Sequence, residues 1–254
     1  MKCLQRLEGT RQITEGYRYE VIVSDDSANG EAKKISAKFP WVTFVEGPRR
    51  GPASNRNNGT RLAAGNWLVF TDDDCLPEPG WLQAYADAIR QNPESKAFEG
   101  AILPDDPKLL KKDMSECPVN ENGGCFWSAN IAVERTLFYQ VGQFDEQFTI
   151  AAMEDKDLYN RLKKATVPVF VKNAVVIHPV RVVSLFWKIK RLPASFSNYK
   201  KYLNTLHPQE KARAICKSRK NHFYAAALHL KSGKPRWAFY HLMALGRYVW
   251  PFNW

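Results

Sequence analysis

The chain has 254 residues, 44% of them hydrophobic, with 37 Lys and Arg against 26 Asp and Glu and a formal charge of +11. That length suits one large α/β domain, or a domain with an appendage, around a sizeable core. Its five cysteines have no CxxC spacing, which argues against a disulfide framework or a zinc ribbon and suits a reducing compartment. The start, MKCLQRLEGT, lacks the apolar core of a signal peptide, and no segment reaches the roughly 18 uninterrupted apolar residues of a membrane span, so a soluble or peripheral protein is expected.

MKCLQRLEGTRQITEGYRYE reads as helical. EVIVSDDS (20–27) follows as a buried, β-branched strand ending on Asp25 and Asp26. EAKKISAKF has helical spacing and stops before Pro40. WVTFVEG is a second strand, RRGPASNRNNGTRLAAG a loop running into a helix closed by Gly65, and NWLVFTDDD a third strand ending on Asp72, Asp73 and Asp74. LQAYADAIRQN is an amphipathic helix and FEGAIL another strand. Residues 104–124 are polar and aperiodic, which predicts a long surface loop of the binding or lid kind. A helix over about 134–141, the segment GQFDEQF, a helix over about 154–164 and the strand VPVFVKNAVVIHP complete the body. The alternation of strands and helices implies α/β architecture with a mostly parallel sheet, whose ligands sit beyond the carboxyl ends of its strands. Both aspartate clusters fall at such ends.

The charge changes abruptly along the chain. Residues 1–180 hold 22 basic and 25 acidic residues, while 181–254 hold 15 basic residues against the single acid Glu210. Two regions are therefore expected, a body over 1–180 and a tail over 181–254. The tail also carries 14 aromatic residues. Its segments SLFWKIKRL and WAFYHLMALGRYVWPFNW suit helices with an apolar face and a cationic rim, as at an anionic membrane surface. Packing of these aromatics onto the body is expected for part of the tail, and single-stranded nucleic acid ranks well behind the membrane.

Hard cations such as Mg²⁺ or Mn²⁺ prefer carboxylate oxygens, and one or two suffice when a diphosphate supplies the rest. The 72–74 triplet can therefore hold a metal, or it can be a solvated turn before the prolines. Asp25 and Asp26 can line the same crevice and bond a base or ribose, although SDDSANG is also a good turn sequence. Arg56 sits at the entry to a predicted helix, where a guanidinium and backbone N–H groups can meet phosphate. Glu154 and Asp155 occupy the first turn of a helix, a position the macrodipole favours without any function. His178, after VVI, reads by itself as a satisfied structural imidazole.

VIVSDDS, GPASNRNNG, WLVFTDDDCLPEPGWL, SANIAVER, VGQFDE, EDKDLYNRL and VVIHP, in that order, resemble the inverting family 2 glycosyltransferases of GT-A fold, from about residue 20 to 179. The resemblance implies a Rossmann-like sheet flanked by helices, to which the composition adds the tail as a helical, basic and aromatic extension. It implies transfer of a sugar from a UDP-, GDP- or dTDP-sugar to a hydroxyl of a saccharide or lipid-linked acceptor, in surface polysaccharide or glycolipid synthesis. Mg²⁺ or Mn²⁺ would be the cofactor and the cytoplasmic face of a membrane the place. Asp25, Asp26, Arg56, Asp72, Asp73 and Asn130 would bind the nucleotide sugar, and Asp74 and His178 the metal. Asp155 would be the general base and Glu154 an acceptor-side contact. Nucleic acid is not expected as a partner. In one respect the chain departs from the pattern: family members begin with an apolar strand ending in a Pro-x-Tyr-Asn-like turn, and nothing like it precedes VIVSDDS. The expectation is a true start upstream of Met1; the alternative is a truncated, inactive homologue acting as a binding or scaffold protein.

Overall fold

A computed structural model describes residues 1–12 and 14–249 of the chain. In chain order the elements are α1 (Lys2–Arg6), β1 (Val21–Asp25), α2 (Glu31–Ser36), β2 (Val42–Glu46), α3 (Pro52–Thr60), β3 (Trp67–Thr71), β4 (Leu76–Pro77), α4 (Trp81–Gln91), β5 (Ala97–Pro104), β6 (Ser115–Glu116), β7 (Asn130–Glu134), α5 (Arg135–Gln140), α6 (Glu154–Leu162), β8 (Val169–His178), β9 (Arg181–Val182), α7 (Leu185–Asn204), α8 (Pro208–Lys231) and α9 (Pro235–Val249). They form two compact units, one of residues 1–105 and 118–179, the other of 106–117 and 180–254.

In the first unit five strands form a sheet in the order β3-β7-β5-β8-β4, and β1 and β2 form a separate parallel pair. β3, β5 and β8 share one direction; β7 and the short β4 run against them. SANIAVER, met in the sequence only as a motif, supplies β7. Alternation along β7 places Ile131 and Val133 in one core and Ala132 in the other, so the sheet is covered on both faces. On one side Trp81 and Tyr85 of α4 pack with Phe98, Ile102 and Val176. On the other, Phe138 of α5 and Leu158 and Leu162 of α6 pack with Phe126, Ile131 and Phe144. Leu158 and Leu162 are both 0% exposed, each worth about 1.5–3 kcal/mol of apolar burial. That burial fixes α6 against the sheet with its first turn at a strand-end cluster of acids. The register of β5 on β8 slips after Gly100, where a Cβ would lie 2.3 Å from the Ala174 carbonyl oxygen, so a glycine is required at this bulge.

The second unit contains the helices of the basic tail. Glu210, the tail's single acid, accepts from the His207 backbone N–H at 3.3 Å and closes a capping box at the start of α8. Ser184 accepts from the Trp187 N–H and caps α7. Between α8 and α9, His229 and His241 stack at 5.3 Å and Trp237 stacks on His241 at 5.8 Å. The surface loop expected over 104–124 does not stay with the body. Its residues 106–117 belong to this second unit, because Asp113 accepts from the Arg236 and Trp237 N–H groups at the start of α9, Met114 is buried, and β6 pairs with β9. The N-terminal helix is confined to Lys2–Arg6, and the one after GPASNRNNG ends at Thr60, short of Gly65. Part of the expected terminal helix, residues 250–254, lies outside the described residues.

Candidate functional site

The carboxyl end of β1 is held open by hydrogen bonds. The Asp26 carboxylate accepts from the Arg49 N–H and, at 2.8 Å, from the Gly51 N–H, tying the 47–51 loop to the strand end. Asp25 accepts from the Ser27 N–H and hydroxyl at 3.0 and 2.9 Å. Gly51 starts α3 at a φ of 101°, where a Cβ would lie 2.2 Å from the Thr149 carbonyl oxygen. Gly51→Ala is therefore expected to cost about 1–3 kcal/mol in backbone strain alone, with the clash added; a Tm equal to the parent's would show that this loop does not constrain the helix.

Asn57 of α3 donates to the Phe144 carbonyl at 2.9 Å and to Glu146 at 3.2 Å, and accepts from the Phe144 N–H. Glu146 also takes Ser54 and Arg50. With α3 fixed in this way, Arg56 points inward. Its Nη2 lies 3.0 Å from Asp72 Oδ1 and its Nη1 3.4 Å from Glu154 Oε1, and its guanidinium sits over the Phe144 ring at 5.6 Å. Burial opposes the charge of Arg56, but Asp155, Asp72 and Glu154 outweigh it and hold the guanidinium firmly protonated.

Glu154 is 3% exposed, and burial, with the like charge of Asp155, pushes its carboxyl up to about 7 against the opposing pull of Arg56. The Asp155 carboxyl is likewise raised by burial, although Arg56 and Ser128 favour its ionised form. Its Oδ1 is buried with no hydrogen-bond partner. A buried carboxylate with one oxygen held and the other uncommitted is equipped to take a proton.

Asp74 and His178 meet because β4 pairs with the end of β8, Leu76 opposite Ile177. His178 Nε2 lies 3.8 Å from Asp74 Oδ1, too long for a hydrogen bond and close enough for one cation to touch both. The Nδ1 of His178 lies 2.9 Å from the Pro179 carbonyl, which can only accept, so the proton belongs on Nδ1 and the lone pair on Nε2. Cys75 completes a cluster whose ligand atoms lie within 4.8 Å of one another. It is a poor third ligand: it is fully buried, and burial pushes its thiol up to about 12. The carboxylate and imidazole fit a divalent ion such as Mn²⁺ or Mg²⁺.

Asp25, Asp26, Arg56, Asp72 and Asp73 line one cleft. Of the residues singled out in the sequence, Asn130 stands apart. It is buried, its amide donates to the Ala101 and Ala174 carbonyls, and its oxygen accepts from Trp81 Nε1 and Tyr85 Oη. Its polar atoms are committed to joining the sheet to α4. Ser128, which hydrogen-bonds Asp155, went unnoticed in the sequence although it opens SANIAVER; Glu146, the anchor of α3, lay equally in plain view within VGQFDE.

The pattern of Glycosyl transferase family 2 matches residues 2–151, and that of Glycosyltransferase like family 2 matches 123–232. A validoxylamine A glucosyltransferase of Streptomyces hygroscopicus subsp. limoneus is 27% identical over 210 residues, covering 66% of this chain and 46% of that protein. A glucosyl-dolichyl phosphate glucuronosyltransferase of Haloferax volcanii is 27% identical over 143 residues, 50% of this chain and 46% of the relative. The chain thus spans about half the length of these curated relatives. Among solved structures, the mannosyltransferase PcManGT from Pyrobaculum calidifontis, in complex with GDP-Man and Mn²⁺, aligns with a TM-score of 0.61 at 19% identity, covering 99% of this chain and 83% of that one. GalNAc-T7 with UDP, GalNAc and Mn²⁺ aligns at 0.57 and 14% identity over 95% of this chain and 52% of its own. The two structures share the GT-A fold with this chain. The family 2 pattern runs continuously from α1 through the strand-end acids to the loop before α6, and the chain belongs to glycosyl transferase family 2.

Proposed function

We propose that the chain transfers a sugar from a nucleoside-diphospho-sugar to an acceptor hydroxyl, with inversion at the anomeric carbon. The observation that carries this reading is the disposition of Asp155: one uncommitted, buried oxygen on a carboxylate that shares the charge of Arg56 with Asp72, just after β3. An acceptor hydroxyl is a weak nucleophile near neutral pH. Asp155 takes its proton as the oxygen bonds to the anomeric carbon, and the nucleoside diphosphate departs from the opposite face. A single displacement of this kind inverts the centre and needs no covalent enzyme intermediate. Arg56 favours the ionised form of Asp155 against the effect of burial while bringing positive charge to the side of Asp72. Asp25 and Asp26, lining the same cleft, suit ribose or base, and Asp73, exposed, the donor's polar rim. Asp74 and His178 would hold a divalent ion, whose chemistry is to neutralise charge growing on the leaving diphosphate.

The nucleotide-sugar donor class is supported by the GDP-Man and UDP named with the two structural neighbours. A lipid-linked acceptor is supported by relatives named for dolichyl phosphate and undecaprenol substrates. Within the basic helices Phe186, Phe223 and Tyr224 are 77%, 59% and 67% exposed, a composition suited to contact with an anionic membrane from its cytoplasmic side. Among the described residues no helix is long and apolar enough to cross a membrane. Surface polysaccharide or glycolipid synthesis is the setting that joins these features.

Incubation with a panel of UDP-, GDP- and dTDP-sugars, followed by NMR of the product linkage, tests the reading. The opposite anomeric configuration is expected; a retained one would remove the single displacement. For the metal, Mn²⁺ with a nucleoside diphosphate is expected to raise Tm by several degrees, on the order of 2–3 kcal/mol at 100-fold excess over Kd. Asp74→Ala should lose the Mn²⁺-dependent part alone, and an unchanged shift would separate Asp74 from the metal.

A further inference from the structure

β5 carries a carboxylate in its buried interior. Glu99 is 3% exposed and stands opposite Ile131 of β7 and Phe170 of β8, in the middle of the sheet. A charged group in such a place needs several donors to offset its lost hydration. Glu99 has four. Its Oε1 accepts from the Gly124 N–H at 2.6 Å, and its Oε2 from the N–H groups of Cys125 and Phe126 at 3.1 and 2.8 Å and from Asn120 Nδ2 at 3.0 Å. Three consecutive backbone amides thus converge on one side chain, a concave nest closed around an anion of the protein's own.

The loop bends sharply to make this nest. Asn120 pins its start by exchanging backbone hydrogen bonds with Ile102 at 3.0 Å, and Gly123 and Gly124 follow at φ of 79° and 88°. Phe126, which has a β-carbon, stands at a φ of 48°. A residue other than glycine stays in that region only where its surroundings over-determine it. For Phe126 these are the hydrogen bond to Glu99 and the stacking of its fully buried ring on Tyr159 of α6, at 5.0 Å and 24°. Two residues further on, Ser128 donates to the Asp155 carboxylate through both its hydroxyl and its N–H. Asp155 is also faced by Arg56 of α3, by Asp72 beyond β3 and by its neighbour Glu154. Arg56 and Ser128 favour its ionised form, and burial and Asp72 oppose it.

We propose that Glu99 is a positioning residue for sugar transfer: by gathering the amides of 124–126 it sets the place of Ser128, and through Ser128 the orientation of the Asp155 carboxylate that takes the acceptor's proton. This rests on the catalytic reading of Asp155 given above. The demand is for a group that accepts with both oxygens. An amide of the same shape would turn its NH₂ onto at least one N–H donor, and an apolar side chain would leave all four donors buried and unpaired. Either change releases the loop at the point where Phe126 is held in its left-handed conformation, two residues from Ser128.

Glu99→Gln tests this in the full chain. Its kcat is expected to fall about tenfold on the ascending limb of the pH–rate profile and to recover to within about threefold of the parent on the high-pH plateau, with donor KM unchanged, because a base held less firmly by Ser128 ionises at higher pH. A fall of equal size at every pH would make Glu99 structural only and overturn the proposal, as would a profile like the parent's. A second measurement needs no turnover. In ¹³C spectra, with Asp155→Asn identifying the resonance, the Asp155 carboxyl is expected to titrate at higher pH in Glu99→Gln than in the parent, and amide exchange at 126 and 128 to quicken by about tenfold or more. An unchanged titration overturns the proposal. Should Glu99→Gln fail to fold, Asn120→Ala removes one donor and keeps the carboxylate: the same displacement, smaller in size, is expected, and its absence is equally decisive. If the parent transfers no sugar, the catalytic reading fails by itself, while the ¹³C titration still decides whether Glu99 governs Asp155.

Discussion

Asp155→Asn is expected to lower kcat by about 10²–10⁴-fold while leaving KM for the donor and Tm close to those of the parent. The reason lies in what asparagine keeps and what it loses. It preserves the shape of the side chain at the first turn of α6 and retains an oxygen for Ser128, but it cannot accept the acceptor's proton. Burial already raises the Asp155 carboxyl, so ionisation at this position costs the folded state free energy as pH rises above the unfolded value. A neutral amide is relieved of that cost, and stability should hold or increase at neutral pH. Retention of more than a tenth of the parent's kcat would exclude Asp155 as the base; a fall in kcat accompanied by a large loss of Tm would mean that α6 had been disturbed.

Arg56→Met removes a cation shared by Asp72, Glu154 and Asp155 and leaves a buried acidic pair without it. The expected cost is about 3–5 kcal/mol, since the guanidinium side chain is only 17% exposed and the carboxylates beside it are left without a counter-charge. The pH dependence identifies the cause. Arg56 pulls both Glu154 and Asp155 toward ionisation, so without it their values rise further. An acid whose folded value lies above its unfolded value destabilises the fold as pH climbs, and Glu154 stands at about 7 with Arg56 still present. The deficit in urea melts should therefore be largest above neutrality and shrink as the pH falls and the acids take up protons. The ascending limb of the rate profile should move to higher pH in the same variant, because the pair must lose protons before Asp155 can act. A deficit that is both small and independent of pH would show that Arg56 is solvated and not the hub of the cluster.

Much of this was legible in the residues. Apolar runs closing on aspartates marked the ends of β1 and β3, and the helical spacing of Leu158 and Leu162 placed Glu154 and Asp155 in a first turn. β7 was harder: Asn130–Glu134 is a five-residue buried run without alternation of polar and apolar residues, which periodicity cannot distinguish from a piece of helix. The 104–124 segment misled for a related reason. Its Asp113 looks like a surface-loop residue until α9, over a hundred positions later, presents the N–H groups it accepts from.

Local pattern, then, determined which segments of this protein become strands and helices, and that its acids gather at strand ends, because side-chain period and turn chemistry act over a few neighbouring residues. Tertiary structure alone decided which acids share a partner. Arg56 meets Glu154 across 98 positions, His178 meets Asp74 only through the pairing of β4 with β8, and Asn130 turns from the cleft to the core. Such partnerships are relations between elements far apart in the chain, fixed by packing that no single segment encodes.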